Sequence, residues 1–181
     1  EDQKAQWLPD LVSGQRLAGF GLTEPDGGSD AGSTATRAEQ QNDEWVINGS
    51  KTFITNSGTD ITSLVTVTAK TEEGISAIIV PAKTEGLIVE PPYRKMGWHA
   101  SDTHGLIFQD CRVPKNNLLG KSGRGFAQFL STLDDGRVAI AALAVGLISA
   151  CLEECVNYAN QRKAFGKPIG SYQGIKHKLA D

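Results

Sequence analysis

Apolar and polar residues alternate in short runs along most of the chain up to residue 121, and turn-forming residues separate the runs. Val65, Val67 and Ala69 alternate with threonines, which predicts a half-buried strand over residues 64–69. Asn48-Gly49 lies between two such runs and predicts a tight hairpin turn. The other predicted strands cover residues 17–22, 33–40, 45–47, 50–55, 75–80, 87–89 and 106–111. Short strands at this spacing favour an antiparallel β barrel or sandwich.

The apolar spacing changes from that of strands to that of helices at Gly123. Phe126 and Phe129 begin the helical spacing, and residues 138–158 are apolar on most sides. This pattern predicts a long helix buried in a bundle. An acidic pair and a glycine, Asp134-Asp135-Gly136, interrupt the apolar pattern, and such a pair is costly unless it is solvated or partnered; a helix kink is one interpretation of this point.

Glycine, proline and serine positions mark the predicted helix ends. Gly166 and Pro168 would end the long helix, and Ser171 is a candidate N-cap for a further one. Near the start of the chain, residues 7–12 predict a helix that ends at Gly14.

The fold class expected from these patterns is α+β: an antiparallel barrel or sandwich, then the first helices of an all-α bundle. Residues 1–14 would be the remnant of a helical domain, residues 15–121 a β domain and residues 122–181 the start of a helical bundle. The first residue is not methionine, and the last residues lie in a predicted helix. We therefore expect the chain to be a piece of a longer protein.

The charge balance excludes some partners. The chain has 18 basic and 21 acidic residues, so no basic face is expected to bind nucleic acid. Its apolar runs fall short of the roughly 18 residues of a membrane span, and no secretion signal opens the chain. The cysteines, Cys111, Cys151 and Cys155, have no disulfide-framework spacing and are expected to be reduced intracellular thiols.

Candidate chemistry lies at two strand ends. The first, residues 19–30, is an apolar strand that breaks on Pro25 and Gly27-Gly28, with hydroxyls and a carboxylate at the break. The second, residues 51–58, also runs into a polar turn and also carries an aromatic residue and a threonine. Two such ends at one rim could wall a planar heterocycle. Each could equally be an ordinary exposed turn.

These stretches are part of a wider resemblance. GFGLTEPDGGSDAGS, NGSKTFITNSG, LIFQDCRVPKNNLLG, LDDGRVAIAALAVG and NQRKAFGKPI occur in this order along the chain. Together they resemble the flavoprotein acyl-CoA dehydrogenase family, and the resemblance covers about residues 17–181. In that family FAD is the cofactor, which suits a strand end that offers backbone amides and a threonine hydroxyl.

The resemblance implies roles for individual residues. Flavin contacts would come from Phe20, Leu22, Thr23, Phe53, Ile54, Thr55, Arg162, Phe165, Tyr172 and Gln173. Contacts to acyl-CoA would come from Ser29, Asp134 and Arg137. Many members have tryptophan where this chain has Phe53, and many have threonine or glutamine where it has Ala164. Arg162 could instead be a cation that interacts favourably with the dipole at a helix C-terminus.

A catalytic base is not among the implied residues. Some members carry a catalytic glutamate at the position of Gly136, which has no side chain, and in most members the base lies beyond the position of Asp181. We therefore expect the chain by itself neither to dehydrogenate acyl-CoA nor to hold FAD tightly.

The resemblance implies a parent that removes hydrogen from the α and β carbons of acyl-CoA thioesters. Its LDDGR segment most resembles short-chain or branched short-chain members. An electron-transfer flavoprotein would take the electrons, and the parent would be a homo-oligomer, a dimer or tetramer, in the bacterial cytoplasm or mitochondrial matrix. An acyl-CoA oxidase, and a non-catalytic β module, are the alternatives that stay open.

Overall fold

The structure is a computed structural model that describes residues 1–181. The chain forms two compact units, Glu1–Leu130 and Ser131–Asp181. The first contains helix α1 (Asp2–Val12), a β sheet and the first turns of helix α2 (Gly125–Gln161). The strands of the sheet are β1 (Leu17–Gly21), β2 (Arg37–Gln41), β3 (Glu44–Thr55), β4 (Thr62–Thr71), β5 (Gly74–Pro81), β6 (Leu87–Val89), β7 (Thr103–Pro114) and β8 (Leu118–Leu119).

The sheet has eight strands, hydrogen-bonded in the order β6-β7-β3-β2-β4-β5-β8, with β1 beside β4. The fold class predicted from the sequence, a β domain followed by the start of a helical domain, is confirmed. The pairing is not wholly antiparallel, however. Strand β1 runs parallel to β4, and β2 makes one parallel pair with β4. Through these parallel contacts, residues 17–21 of β1 and Arg37 of β2 lie beside β4, although they are distant from it in sequence.

The apolar core lies within the sheet. Strands β4 and β5 carry long runs of mostly buried residues, as expected for strands covered on both faces. The core comprises Ala38, Trp45, Ile47, Ile54, Val65, Val67, Ala69, Ile78, Val80, Leu106, Phe108, Cys111 and Val113.

The hairpin predicted at Asn48-Gly49 is wrong, because β3 continues through both residues. The pairing of β3 with β7 shifts register between Ile47 and Gly49, as at a β-bulge. Asn48 Nδ2 donates to Asp110 Oδ1 at 3.0 Å, and Asp110 N donates to Asn48 Oδ1 at 2.8 Å. Gly49 has a φ of 145°, and a Cβ there would lie 2.7 Å from the Thr36 Cα. The glycine thus serves close packing inside a strand and does not form a turn.

Helix α2 is one continuous helix of 37 residues that runs through Asp134, Asp135 and Gly136. The acidic pair is tolerated because both residues face solvent, and Arg137 Nη1 lies 2.5 Å from Asp134 Oδ1. The helix ends at Gln161, before the predicted stop.

Most apolar side chains of α2 beyond Phe129, which a complete helical bundle would bury, are exposed in this chain. Val138 is 72% exposed and Ile148 66%. By length and composition alone the helix could cross a membrane. The longest uncharged run, residues 138–152, is shorter than a span, which is why the sequence had indicated none.

The second unit ends in a small hairpin and a short helix. Strands β9 (Lys163–Ala164) and β10 (Lys167–Pro168) pair across a turn at Phe165 and Gly166, where φ is 50° and 79°. Helix α3 covers Gln173–Ala180. Its N-cap is Tyr172, so the predicted cap at Ser171 is wrong; Ser171 instead ends a short 3₁₀ turn.

Replacement of Gly49 by alanine tests the bulge. We expect Gly49→Ala to lower the free energy of unfolding by about 2–4 kcal/mol, because the new methyl group meets the Thr36 backbone and the φ is strained. Gly97→Ala is the matched control, since a Cβ at Gly97 meets no atom within 4 Å. Urea denaturation of both variants measures the effect, and equal midpoints would contradict it.

Candidate functional site

The two strand ends singled out in the sequence lie side by side. The backbone N–H of Thr52 donates to the Thr23 carbonyl at 2.9 Å, and Lys51 Nζ donates to the Leu22 carbonyl at 3.2 Å. Residues 22–24 and 51–55 therefore form one local structure, called here the paired strand ends. The expectation that both stretches reach the same rim is met geometrically.

A buried ion pair joins the paired strand ends. Lys51 Nζ lies 2.7 Å from Glu24 Oε1, and the side chains are 0% and 7% exposed. The same ammonium is 3.1 Å from Thr34 Oγ1 and 2.9 Å from Thr68 Oγ1. Its N–H groups therefore find oxygen acceptors on every side, which a buried ammonium requires.

The Glu24 carboxylate also closes the base of a loop, residues 25–33. It accepts hydrogen bonds from the Thr34 hydroxyl, from Ala35 N at 2.5 Å and from Thr36 N at 3.1 Å. At the start of the loop, the backbones of Glu24 and Gly27 hydrogen-bond to each other at 3.0 and 3.2 Å. Ser29, the predicted acyl-CoA contact, is exposed on this loop.

The hydrogen bonds to the Glu24 carboxyl keep it ionised. Burial raises the pKa of this carboxyl, but hydrogen bonds from Lys51, Thr34, Ala35 and Thr36 outweigh burial and bring the pKa to about 2. Burial lowers the pKa of the Lys51 ammonium, and the nearby Glu24 carboxylate opposes part of that change. The carboxylate is therefore ionised at neutral pH and holds a hydrogen-bond network together.

Two hydroxyls and an aromatic ring at the paired strand ends are open to a ligand. The side-chain hydroxyls of Thr23 and Thr55 make no hydrogen bond within the chain, and Thr55 is exposed. Phe53 is 66% exposed and has a φ of 60°, which is rare for a bulky residue. Its ring lies 5.2 Å from that of Tyr93, whose hydroxyl is 2.7 Å from Thr52 Oγ1.

Other predicted flavin residues are differently placed. Leu22 is 9% exposed and Ile54 2%, so their side chains belong to the core. The Phe20 ring stacks on Phe129, with centroids 4.1 Å apart. The side chains of Leu22 and Ile54 therefore anchor the strand ends from below.

The turn that follows Thr55 is fixed by a second polar cluster. Asp102 accepts hydrogen bonds from Asn56 N at 2.9 Å and from Gly58 N at 3.0 Å. His104 Nε2 lies 3.4 Å from Asp102 Oδ2, and its Nδ1 is 2.7 Å from the Glu90 carbonyl. A side chain at Gly58 would collide with the His104 ring, so the glycine admits the imidazole.

The remaining predicted residues lie in the second unit. Asp134 and Arg137 form an exposed ion pair, with each side chain 71% exposed. Phe165, at the hairpin tip, is 98% exposed. Tyr172 donates from its hydroxyl to the Ala164 carbonyl at 2.8 Å and thus braces the hairpin. Arg162 and Gln173 are also exposed.

The described residues suit a flavin ring. Phe53 presents an apolar face, and the hydroxyls of Thr23 and Thr55 are hydrogen-bonding groups without partners in the chain. A flavin needs an apolar wall together with a few placed polar groups, and this combination occurs at the paired strand ends.

Comparison with known proteins decides the family. A sequence model of the acyl-CoA dehydrogenase middle domain matches residues 19–111, and one of the C-terminal domain matches residues 123–181. The chain belongs to the acyl-CoA dehydrogenase family. It is 52% identical to a probable acyl-CoA dehydrogenase, YngJ, of Bacillus subtilis, over all of this chain and 49% of the relative.

Two further relatives extend the comparison. A mitochondrial short-chain specific acyl-CoA dehydrogenase of Sus scrofa is 46% identical over 100% of this chain and 45% of its own length. A glutaryl-CoA dehydrogenase from Mycobacterium smegmatis, solved in complex with FADH2, superimposes with a TM-score of 0.92 and 36% identity. It covers 99% of this chain and 46% of its own. The chain spans about half the length of the relatives it matches.

Family membership also explains the exposed helix α2. The C-terminal domain model begins at residue 123, close to the start of α2 at Gly125. An apolar helix is typical both of a membrane span and of the interior of a helical bundle. The acyl-CoA dehydrogenase match favours the bundle.

The residues that hold the paired strand ends together were not predicted from the sequence. Glu24 and Lys51 were quoted within motifs but given no role, and Tyr93 and Asp102 were not considered. One signal was present: Lys51 continues the inward alternation of Trp45 and Ile47 along β3. An inward lysine requires an acidic partner, but nothing in the spacing identifies Glu24.

Acid titration tests the buried pair. Because the pKa of Glu24 is about 2 in the fold and 4.5 ordinarily, its stabilisation is present above pH 4.5 and lost as the pH falls toward 2. We expect the unfolding free energy of Glu24→Gln to fall by about 2–3 kcal/mol less than that of the wild type over this range. Urea denaturation from pH 5 to pH 2 measures it. Glu85→Gln, at an exposed turn, is the control, and an unchanged slope in Glu24→Gln would refute the assignment.

Proposed function

We propose that the whole protein containing this chain is an FAD-dependent acyl-CoA dehydrogenase that acts on short acyl chains. The observation that carries the proposal is the pair of strand ends, joined by the buried Lys51–Glu24 contact, with an exposed aromatic ring and two unpartnered hydroxyls. The short-chain preference is supported by the Sus scrofa relative, whose name gives that specificity.

FAD, when bound, accepts the hydride that leaves the β carbon of the acyl group. The chain's own part is to bind and orient the ring. Thr23 and Thr55 would donate hydrogen bonds to its polar edge, and Phe53 would cover part of its apolar face. Phenylalanine in place of tryptophan keeps the wall and gives up an indole donor. Leu22 and Ile54 would contact the ring only through their backbones, since their side chains are buried.

Acyl-CoA would be held by Ser29 and by Arg137 with Asp134. Ser29 is exposed on the loop that Glu24 closes, so its hydroxyl is free to reach a ligand. Arg137 is paired with Asp134 only through an exposed contact. Such contacts contribute little to stability, so rearrangement toward a ligand costs little.

Arg162 and Phe165 would contact FAD bound to a neighbouring subunit, and Tyr172 and Gln173 would be a further pair of FAD contacts. An exposed guanidinium is suited to a diphosphate, which it can bind through two N–H groups. The nearly complete exposure of Phe165 at a tight turn is unusual for a phenylalanine and supports a contact outside the chain. The protein would accordingly be a homodimer or homotetramer.

The base that removes the α proton would come from elsewhere in the whole protein. Gly136 has no side chain and cannot accept a proton. We therefore expect the 181-residue polypeptide alone to show no dehydrogenase turnover. Electrons would pass to an electron-transfer flavoprotein, in the bacterial cytoplasm or the mitochondrial matrix.

Removal of the two hydroxyls tests the proposed flavin contacts. We expect Thr23→Val and Thr55→Val in the full-length protein each to weaken FAD binding by about 1–3 kcal/mol, because a polar group of the ring loses its partner. Thr84→Val is the control, since the Thr84 hydroxyl bonds the Pro81 carbonyl in the turn before β6. Fluorescence titration of the apoprotein with FAD gives the affinities, and unchanged values in both variants would reject the contacts.

Turnover tests the reaction itself. The full-length protein should reduce an artificial electron acceptor with butyryl-CoA, and its reduced flavin should react slowly with oxygen. Rapid reoxidation in stopped-flow mixing would identify an oxidase instead. A protein that retains no flavin after desalting would refute the proposed function.

A further inference from the structure

The Lys51–Glu24 ion pair is hydrogen-bonded to several separate segments of the chain. Through Lys51 it bonds the Leu22 carbonyl and the Thr68 hydroxyl of β4. Through Glu24 it bonds the segment that follows the 25–33 loop. One charge pair thus links β3, the end of β1, β4 and the loop that carries Ser29.

Burial of the Lys51–Glu24 pair costs free energy, and a role in fixing the positions of nearby atoms would account for it. An ion pair this deeply buried adds little stability compared with apolar residues of the same size. The surrounding sheet already has an extensive apolar core. A charged pair with directed hydrogen bonds instead fixes where backbone atoms lie, since each bond restricts distance and angle.

The atoms it fixes belong to both proposed ligand subsites. Thr52, next to Lys51, bonds Thr23 by its backbone, so the lysine and this bond set the spacing of the proposed flavin contacts. The Thr34 hydroxyl is shared, since it accepts from Lys51 Nζ at 3.1 Å and donates to Glu24. Thr34 also marks the end of the loop on which Ser29 lies.

We propose that Lys51 and Glu24 are positioning residues that couple the flavin subsite to the acyl-CoA loop, a role that rests on the proposed function. Neither touches a ligand in this account. They hold the paired strand ends and the loop base in one arrangement, so that disturbing either residue displaces both subsites together. A displacement of about 1 Å in such supports can lower activity by two orders of magnitude.

The experiment separates positioning from stability. Glu24→Gln and Lys51→Met each leave a buried polar group without its charged partner, so both should lose stability as well as affinity. The double variant removes both charges at nearly constant volume and should unfold near the wild-type midpoint. We expect it nevertheless to raise the FAD dissociation constant and the KM for butyryl-CoA by about tenfold each, with a smaller change in kcat.

Matched variants of the full-length protein make the result decisive. Arg112→Met removes the exposed Arg112–Glu44 pair at the other end of β3, at 3.4 Å, and should change neither constant. Thr34→Val keeps both charges and removes the shared hydroxyl, so it should raise the same KM even if the double variant does not fold. Urea denaturation, FAD titration and steady-state kinetics give the readouts.

The outcomes distinguish this proposal from the one it rests on. A wild-type protein that binds no FAD refutes the proposed function and this role with it. A flavin-loaded wild type whose folded double variant keeps both constants refutes only the coupling. Unchanged KM in Thr34→Val refutes it as well.

Discussion

A lysine ammonium and a glutamate carboxylate, 2.7 Å apart and almost entirely removed from solvent, hold the functional end of this β domain together. Neither charge would be tolerated there alone. The backbone carbonyl of Leu22, the hydroxyls of Thr34 and Thr68 and the amides of residues 35 and 36 complete their hydrogen bonding. The positions of the strand ends follow from this network, because its bonds have defined lengths and directions.

The rest of the site depends on that fixed frame. Phe53 takes up a left-handed backbone conformation, which costs about 1–3 kcal/mol and persists only where the surroundings impose it. On one side Lys51 and Thr52 are bonded to the end of β1. On the other, the turn after Thr55 is bonded by Asp102. Strained backbone of this kind is concentrated at ligand and active sites, which supports the proposal that a ligand binds here.

Alternation and turn residues were enough to predict most strands and the change to helix near Gly123. They failed where a tertiary contact overrides local preference. Asn48-Gly49 favours a turn by itself, but its glycine packs on Thr36 and its asparagine pairs with Asp110. Asp134 and Asp135 interrupt the apolar pattern, yet they lie within the continuous helix α2 and face solvent. Glu24 and Lys51 lie 27 residues apart, so no local pattern could pair them. The burial of Leu22 and Ile54 likewise depends on which face of each strand meets the core.

A crystal structure of the full-length protein with FAD is the most direct measurement of the central claim. The account predicts that the isoalloxazine ring lies against Phe53, with the Thr23 and Thr55 hydroxyls within about 3.2 Å of its polar edge. It also predicts that the Lys51–Glu24 pair remains intact beneath the ring. A flavin bound at another place, or a site in which Lys51 and Glu24 are separated, would contradict it.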